Sequence, residues 1–206
     1  MTRWFALLAR LLLLACVGLP PLALAQKLYP TPDDAAAALV KAMKADDTKA
    51  MQAVLAYYDA QREYASADRT GKGVLEYARK LVSSPGKQDG LYWPVALDAE
   101  PSPLGPLIAQ QKPKSPGYWG YHYKILTGQG KDAPGGAYDY VIGGRMRGGF
   151  ALVAWPVRYG DTGVMTFMVS HAGTVVEKDL GPDTDAVARA MTRFNPDASW
   201  HKSPVP

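Results

Sequence analysis

The side chains in this 206-residue sequence best suited to proton transfer or metal ligation near neutral pH are its three histidines, His122, His171 and His201. His122 stands among tyrosines in an alternating run, and His171 ends an apolar run beside Gly173. Either one, set against a carboxylate such as Asp139, would supply the base of a periplasmic hydrolase. The two brought together would make a metal or catalytic pair, and the competing reading makes both ordinary surface or half-buried polar residues. Other catalytic signatures are missing. The chain has no G-x-S-x-G, no H-E-x-x-H and no G-x-x-x-x-G-K-[ST], and Gly128-x-Gly130 lacks a third glycine and runs into Pro134-Gly135, a hairpin signal.

Binding chemistry is better represented. Gly143-Gly144-Arg145-Met146-Arg147-Gly148-Gly149 places two guanidinium forks in a glycine-bounded loop, which suits a carboxylate or phosphate; the alternative is a hairpin tip with solvated charges. Tyr92, Trp93, Tyr118, Trp119, Tyr121 and Tyr123 offer planar rings with polar tips that would line a groove for a glycan or peptide. Packing of one sheet face explains the same alternation. The candidate ligand-binding residues are therefore Tyr92, Trp93, Trp119, Tyr121, His122, Tyr123, Arg145 and Arg147. The candidate partners are a cell-wall glycan, a peptide or a small anion. Asp179, Asp183 and Asp185 group as a calcium loop would require, but two of them fall at a helix start, where negative charge is favoured in any case. Asp59 and Glu63 share a helical face with Arg62 beside them. No metal and no cofactor is expected, and no feature specifies an oligomeric state.

The elements that must position these residues fall into three stretches. Over 26–84 the sequence predicts a helical layer: Thr31-Pro32-Asp33-Asp34 starts a helix that runs to about Lys44, and Asp46-Asp47-Thr48 makes a second stop and start. Met51, Val54, Leu55, Tyr58 and Ala65 then recur at helical spacing to about Asp68, and Val74, Ala78, Leu81 and Val82 predict a third, shorter helix. A proline-rich connector occupies 85–118, with a short turn at Leu107 to Gln111. Over 119–206 alternating and apolar runs at Trp119–Leu126, Tyr138–Ile142, Phe150–Trp155, Val164–Ser170 and Thr174–Lys178 predict an antiparallel meander, and Pro182-Asp183-Thr184 starts a final helix. The expected class is α+β, with 26–206 as one unit.

Composition agrees with that class. The chain is 48% hydrophobic and 20% charged, too apolar for disorder and too polar for a multispanning membrane protein. The first 25 residues read as a secretory signal peptide, with Arg3 and Arg10, an apolar stretch led by Leu11–Leu14, Pro20-Pro21 and a cleavage signal at Ala23-Leu24-Ala25. Its uncharged run from Leu11 to Ala25 is 15 residues, short of the roughly 20 that span a bilayer. The expectation is a periplasmic or secreted chain cleaved near Ala25, without a transmembrane helix in the mature part. A lipoprotein box at Leu13-Leu14-Ala15-Cys16 is the weaker signal. Cys16 is the only cysteine, so the mature chain offers no disulfide, zinc-thiolate or thiol nucleophile. Removing Arg3 and Arg10 lowers the net charge from +4 to +2, and the remaining Lys and Arg are scattered, which argues against a nucleic-acid partner.

Several blocks occur together in one order: Ala60-Gln61-Arg62-Glu63-Tyr64, Ser84-Pro85-Gly86-Lys87-Gln88-Asp89-Gly90-Leu91-Tyr92-Trp93-Pro94, Ser102-Pro103-Leu104-Gly105-Pro106, Ala133-Pro134-Gly135-Gly136-Ala137, Gly149-Phe150-Ala151-Leu152-Val153-Ala154 and Lys178-Asp179-Leu180-Gly181. From about Tyr57 to Trp200 the chain resembles the bacterial exported family called domain of unknown function 2950. The resemblance implies an exported envelope protein and brings no activity, cofactor or catalytic residue. It also implies a shortened member, because the family pattern carries a further Trp-, Gly- and Arg-containing segment where this chain joins its first helices near Val54 to Tyr58. Together the residues and the resemblance predict a non-catalytic binding or structural module of the cell envelope.

Overall fold

Thr31 opens the first element as its position demands. Its Oγ1 accepts from the backbone N–H of Asp34 (3.1 Å) and donates to the Asp34 carboxylate (2.8 Å), and Asp33 and Asp34 lie in the first turn, where the helix dipole favours them. The computed structural model describes residues 31–95, 100–104 and 117–204. The expected signal segment with Cys16, and the expected turn at 107–111, lie outside the described residues.

Helix α1 runs unbroken from Pro32 to Tyr64, so the stop and start expected at Asp46-Asp47-Thr48, and the extension to Asp68, do not occur. Those three side chains are satisfied without ending the helix. Thr48 Oγ1 donates to Lys44 O (2.9 Å), Lys49 pairs with Asp46 (3.1 Å), and Asp47 accepts from the Tyr121 hydroxyl and from Val164 N (3.1 Å). From Ala50 onward the helix buries Ala50, Val54, Tyr57, Gln61 and Tyr64 at three- and four-residue spacing. Among the described residues no helix is long and apolar enough to cross a membrane.

The sheet against which α1 packs is antiparallel, as expected for an α+β chain. Its strands are β1 (Tyr121–Leu126), β6 (Ala151–Pro156), β7 (Met165–Ser170), β8 (Val175–Asp179) and β10 (His201–Lys202), in that spatial order. Helix α1 covers one face, chiefly over β7, and helix α2 (Thr184–Ala190) covers the other over β6. Covering on both faces accounts for the unbroken apolar run Ala151-Leu152-Val153-Ala154-Trp155, since every residue of β6 is buried. The register pairs His122 with Trp155 and Tyr121 with Pro156, which turns Tyr121 toward α1 and His122 toward α2.

Five two-residue strands build the remainder: β2 (Gly128–Gln129), β3 (Tyr138–Asp139), β4 (Val141–Ile142), β5 (Arg145–Met146) and β9 (Arg193–Phe194). Strand β2 continues β1 beyond Thr127 and lies between β3, antiparallel, and β9, parallel. Strands β4 and β5 form a hairpin. Gln129, nearly fully buried, ties the Ala133-Pro134-Gly135-Gly136 turn to the core, donating to Pro134 O and Gly136 O (2.7 Å each) while accepting from the Tyr140 hydroxyl (3.0 Å). Neither β9 nor β10 is foreshadowed in the sequence, because two residues carry no readable period.

The third helix expected over 74–82 is absent. That stretch is extended, bridging Tyr77 to Met146 and Val82 to Tyr92. The cause is tertiary: Gln61 on α1 holds both backbone groups of Ala78, accepting from its N–H and donating to its C=O (2.8 Å each), so neither is left for a helical partner. Beyond it, Leu91, Trp93 and Leu104 are buried, and Leu104 N donates to Leu91 O (3.0 Å), so the proline-rich stretch reaches the core at these residues while Pro85–Gln88 and Pro94 stay exposed.

Candidate functional site

A cleft of about 380 Å³ opens where the end of α1, the extended segment and the β4–β5 hairpin meet. Tyr64 and Tyr77 contribute to its walls. Tyr64 donates to Gln88 O (2.7 Å), and burial pushes its hydroxyl pKa up to about 12. Tyr77 donates its backbone N–H to Met146 O (2.8 Å), and its ring packs edge-on against Phe150 with centroids 4.8 Å apart. Local loop chemistry supplies the rim. Asp68 accepts from Thr70 N (3.1 Å) and Gly73 N (2.6 Å), which shapes the turn carrying Thr70 and Lys72.

The charge in the cleft is lopsided. Lys72, Arg79, Lys80 and Arg145 face only two carboxylates, Glu76 and Asp89. Lys80 pairs with Asp89 (2.7 Å), and this bond, with the Ser84 N–H behind it, lowers the Asp89 carboxyl to about 2. Arg79 donates through Nη1 to Gly144 O (2.8 Å), fastening the extended segment to the hairpin. The hairpin turn is a fixed structure: Gly143 and Gly144 both have positive φ (58° and 76°), the signature of a two-residue type I′ turn, and Ile142 pairs with Arg145 across it. Such a lining holds oxygen anions well, and the Thr70 hydroxyl at its rim donates to the Asp68 carboxylate (3.2 Å) within the same loop turn.

Residues 46–203 match the family model described as a protein of unknown function, DUF2950. The chain belongs to this family. No curated protein and no solved structure matches it. In this DUF2950 protein the matched span begins beside Asp47, where α1 is bonded to Tyr121 of β1.

Of the eight ligand-binding candidates read from the DUF2950 sequence, Arg145 alone lines the cleft. Arg147 is exposed outside it, because Arg147 N and Gly148 N both donate to Tyr140 O (2.9 and 3.0 Å), a bulge that interrupts the strand alternation. Trp93 is buried beneath Arg69, whose guanidinium lies 5.5 Å from the ring centroid, and Tyr92 is half-buried. Tyr121 is fully buried, and its hydroxyl bonds Asp47 and Met165 O. Tyr123 is half-buried, its ring 6.2 Å from that of Tyr118. Trp119, half-buried at φ 49°, stacks on Tyr118 at 4.4 Å. Among the described residues, the expected groove joining these aromatics to the arginines is therefore not assembled. Sequence reading missed Lys72, Arg79, Lys80, Tyr64 and Tyr77, the three within 74–82 because that segment looked helical. The available signal was Arg79-Lys80 two residues before the Ser83-Ser84-Pro85-Gly86 turn.

The histidines of this family member lie apart. His122 contacts Trp155 at one end of β6, and His171 contacts Phe150 just before the other. Five residues along a strand is roughly 16 Å. Among the described residues neither has a carboxylate partner. His122 Nε2 lies 3.4 Å from Arg189, and Asp185 is itself taken by Arg189 (2.8 Å) and Trp155 (2.9 Å). His171 Nε2 meets the Tyr138 hydroxyl (3.2 Å), while Asp139, the carboxylate expected beside it, is paired with Arg193 (2.6 Å). The calcium group does not form either: among the described residues no three His, Cys, Asp or Glu side chains gather.

Burial lowers the pKa of both histidines, reinforced at His122 by Arg189, opposed there by Asp185 and at His171 by the Phe150 backbone. The folded chain then binds fewer protons than the unfolded one below the ordinary histidine pKa of about 6.5, so stability must fall with acidification through that window. The melting temperature is expected to drop between about pH 7 and pH 5, above the range where carboxylates titrate. A His122→Gln, His171→Gln double variant should flatten the slope. A double variant with the parent's full slope would assign the effect elsewhere.

Proposed function

We propose that this protein is an exported, non-catalytic binding module of the cell envelope, with its ligand site in the cleft beside the β4–β5 hairpin. The cleft carries the reading: it brings Arg145, Arg79 and Lys72 around an opening of about 380 Å³ whose lining has cationic donors in excess of carboxylates. Export rests on the sequence pattern from Arg3 to Ala25. The separation of His122 from His171, and the engagement of Asp139 by Arg193, leave the hydrolase alternative without an assembled site among the described residues.

Thermal melts of the protein with a panel of cell-wall glycan fragments, acidic peptides and small anions test the binding role. A ligand at a hundred times its dissociation constant stabilises by about 2.7 kcal/mol. The transition midpoint should therefore rise by roughly 5–10 °C for a domain of this size. A panel that shifts nothing would end the binding reading. Recovery of the chain from the cytoplasmic fraction, with residues 1–25 still attached, would end the export reading.

A further inference from the structure

The binding reading leaves the ligand's chemistry open, and the structure narrows it. Arg145 follows the Gly143-Gly144 turn directly, so the hairpin fixes where its side chain starts. It is half-buried, and among the described residues its guanidinium has neither a hydrogen-bond acceptor nor a carboxylate partner. Arg79 is held on the neighbouring Gly144 O by one N–H, which leaves its other donors unspent. Asp89 cannot neutralise them, because Lys80 and Ser84 occupy its oxygens. Glu76 and Lys72 balance each other in number, so the excess charge of the cleft is that of the two arginines.

Two guanidinium groups brought to one turn repel each other, and a doubly charged ligand removes that repulsion while filling planar donor forks that match carboxylate and phosphate oxygens. The cleft volume is at the small end of the range for small-molecule sites, about 300–1,000 Å³. We propose that the cleft binds a small dianion, a dicarboxylate or a phosphate group, through Arg145 and Arg79. This rests on the binding reading above and adds the class of ligand and the residues that hold it.

Calorimetric titration of the full chain at constant ionic strength tests it, with inorganic phosphate, succinate and an uncharged chitin-type oligosaccharide as separate probes. Saturable binding of phosphate or succinate is expected, and the tighter of the two identifies the source of the oxygens. Arg145→Gln should weaken that binding roughly ten- to hundredfold, the loss of charge-assisted hydrogen bonds. Arg145→Lys, which keeps the charge and loses the fork, should recover only part of it. Arg147→Gln, a change outside the cleft, should leave affinity within about twofold. Equal losses for Arg145→Gln and Arg147→Gln would overturn the assignment in favour of diffuse charge attraction. Binding of the oligosaccharide with neither anion bound would overturn the dianion and leave the binding module standing. Binding of none of the probes would overturn the dianion, and the broader ligand panel would then decide the binding reading. Each variant's unliganded melt, expected at the parent's midpoint, separates lost affinity from lost folding.

Discussion

Replacing Phe150 with alanine is expected to destabilise the protein by about 4 kcal/mol, within the range for removing a buried aromatic ring. Phe150 is 1% exposed, and four rings meet it: Tyr57 at 5.8 Å, Tyr58 at 5.7 Å, Tyr77 at 4.8 Å and His171 at 6.3 Å. These come from α1, the extended segment and the end of β7, so one side chain holds together three parts of the fold that are distant in sequence. The melting midpoint should fall by roughly 8–16 °C for a domain of this size. Phe150→Leu should recover most of the loss, since it leaves a smaller cavity. The arrangement also ties stability to the cleft, because Tyr77 loses its backing when the Phe150 ring is removed. An alanine variant that melts with the parent would contradict the placement of Phe150 at this junction.

Gln61→Leu is the second large effect, and its cause is polar. The substitution nearly conserves volume, so little cavity results, but the buried N–H and C=O of Ala78 both lose their partner and the Tyr57 hydroxyl loses an amide donor. Each stranded buried group costs about 1–3 kcal/mol, which gives an expected loss of about 3 kcal/mol. Urea denaturation should show a lower midpoint at an unchanged slope. Amide exchange at Ala78 should accelerate more than at Val153 in β6, because the bond that Gln61 makes is local to the extended segment. Unchanged protection of Ala78 would mean that the segment is held by something other than Gln61.

The same two residues show where sequence reading succeeds and where it stops. Phe150 opens the run Phe150–Trp155, legible as a buried strand because its apolar residues are continuous and glycines bound it. The strands at Tyr121–Leu126, Met165–Ser170 and Val175–Asp179 were legible for related reasons, with glycine or proline turns between them. The cap at Thr31 was legible because its chemistry is local. Gln61 lies on a helix whose period is plain, yet nothing nearby in the chain reveals that its amide is buried and aimed at a residue 17 positions on. The helical spacing of Val74, Ala78, Leu81 and Val82 was therefore a false signal, overridden by a bond from another element.

The candidate site divides in the same way. Arg145 stood out because glycines on either side mark a turn that presents its neighbours, and the type I′ geometry at Gly143-Gly144 does so. Arg147 stood out for the same reason and is placed elsewhere by a bulge that depends on Tyr140, between β3 and β4. Tyr92, Trp93, Tyr121 and Tyr123 resembled a ligand platform because aromatic residues suit both grooves and cores.

By itself, then, the sequence determined the class, strands β1, β6, β7 and β8 of the central sheet, the start of α1 and the hairpin that carries Arg145, all of which depend on periodicity, capping or turn geometry within a few residues. The tertiary structure decided that α1 runs through Asp46-Asp47-Thr48, because Tyr121 and Val164 satisfy Asp47 from across the fold. It also decided that 74–82 is extended, that His122 and His171 stand apart, and that Arg79 and Lys80 join Arg145 around one cleft. These outcomes depend on hydrogen bonds and packing between residues far apart in the chain, and local spacing carries no record of such partners.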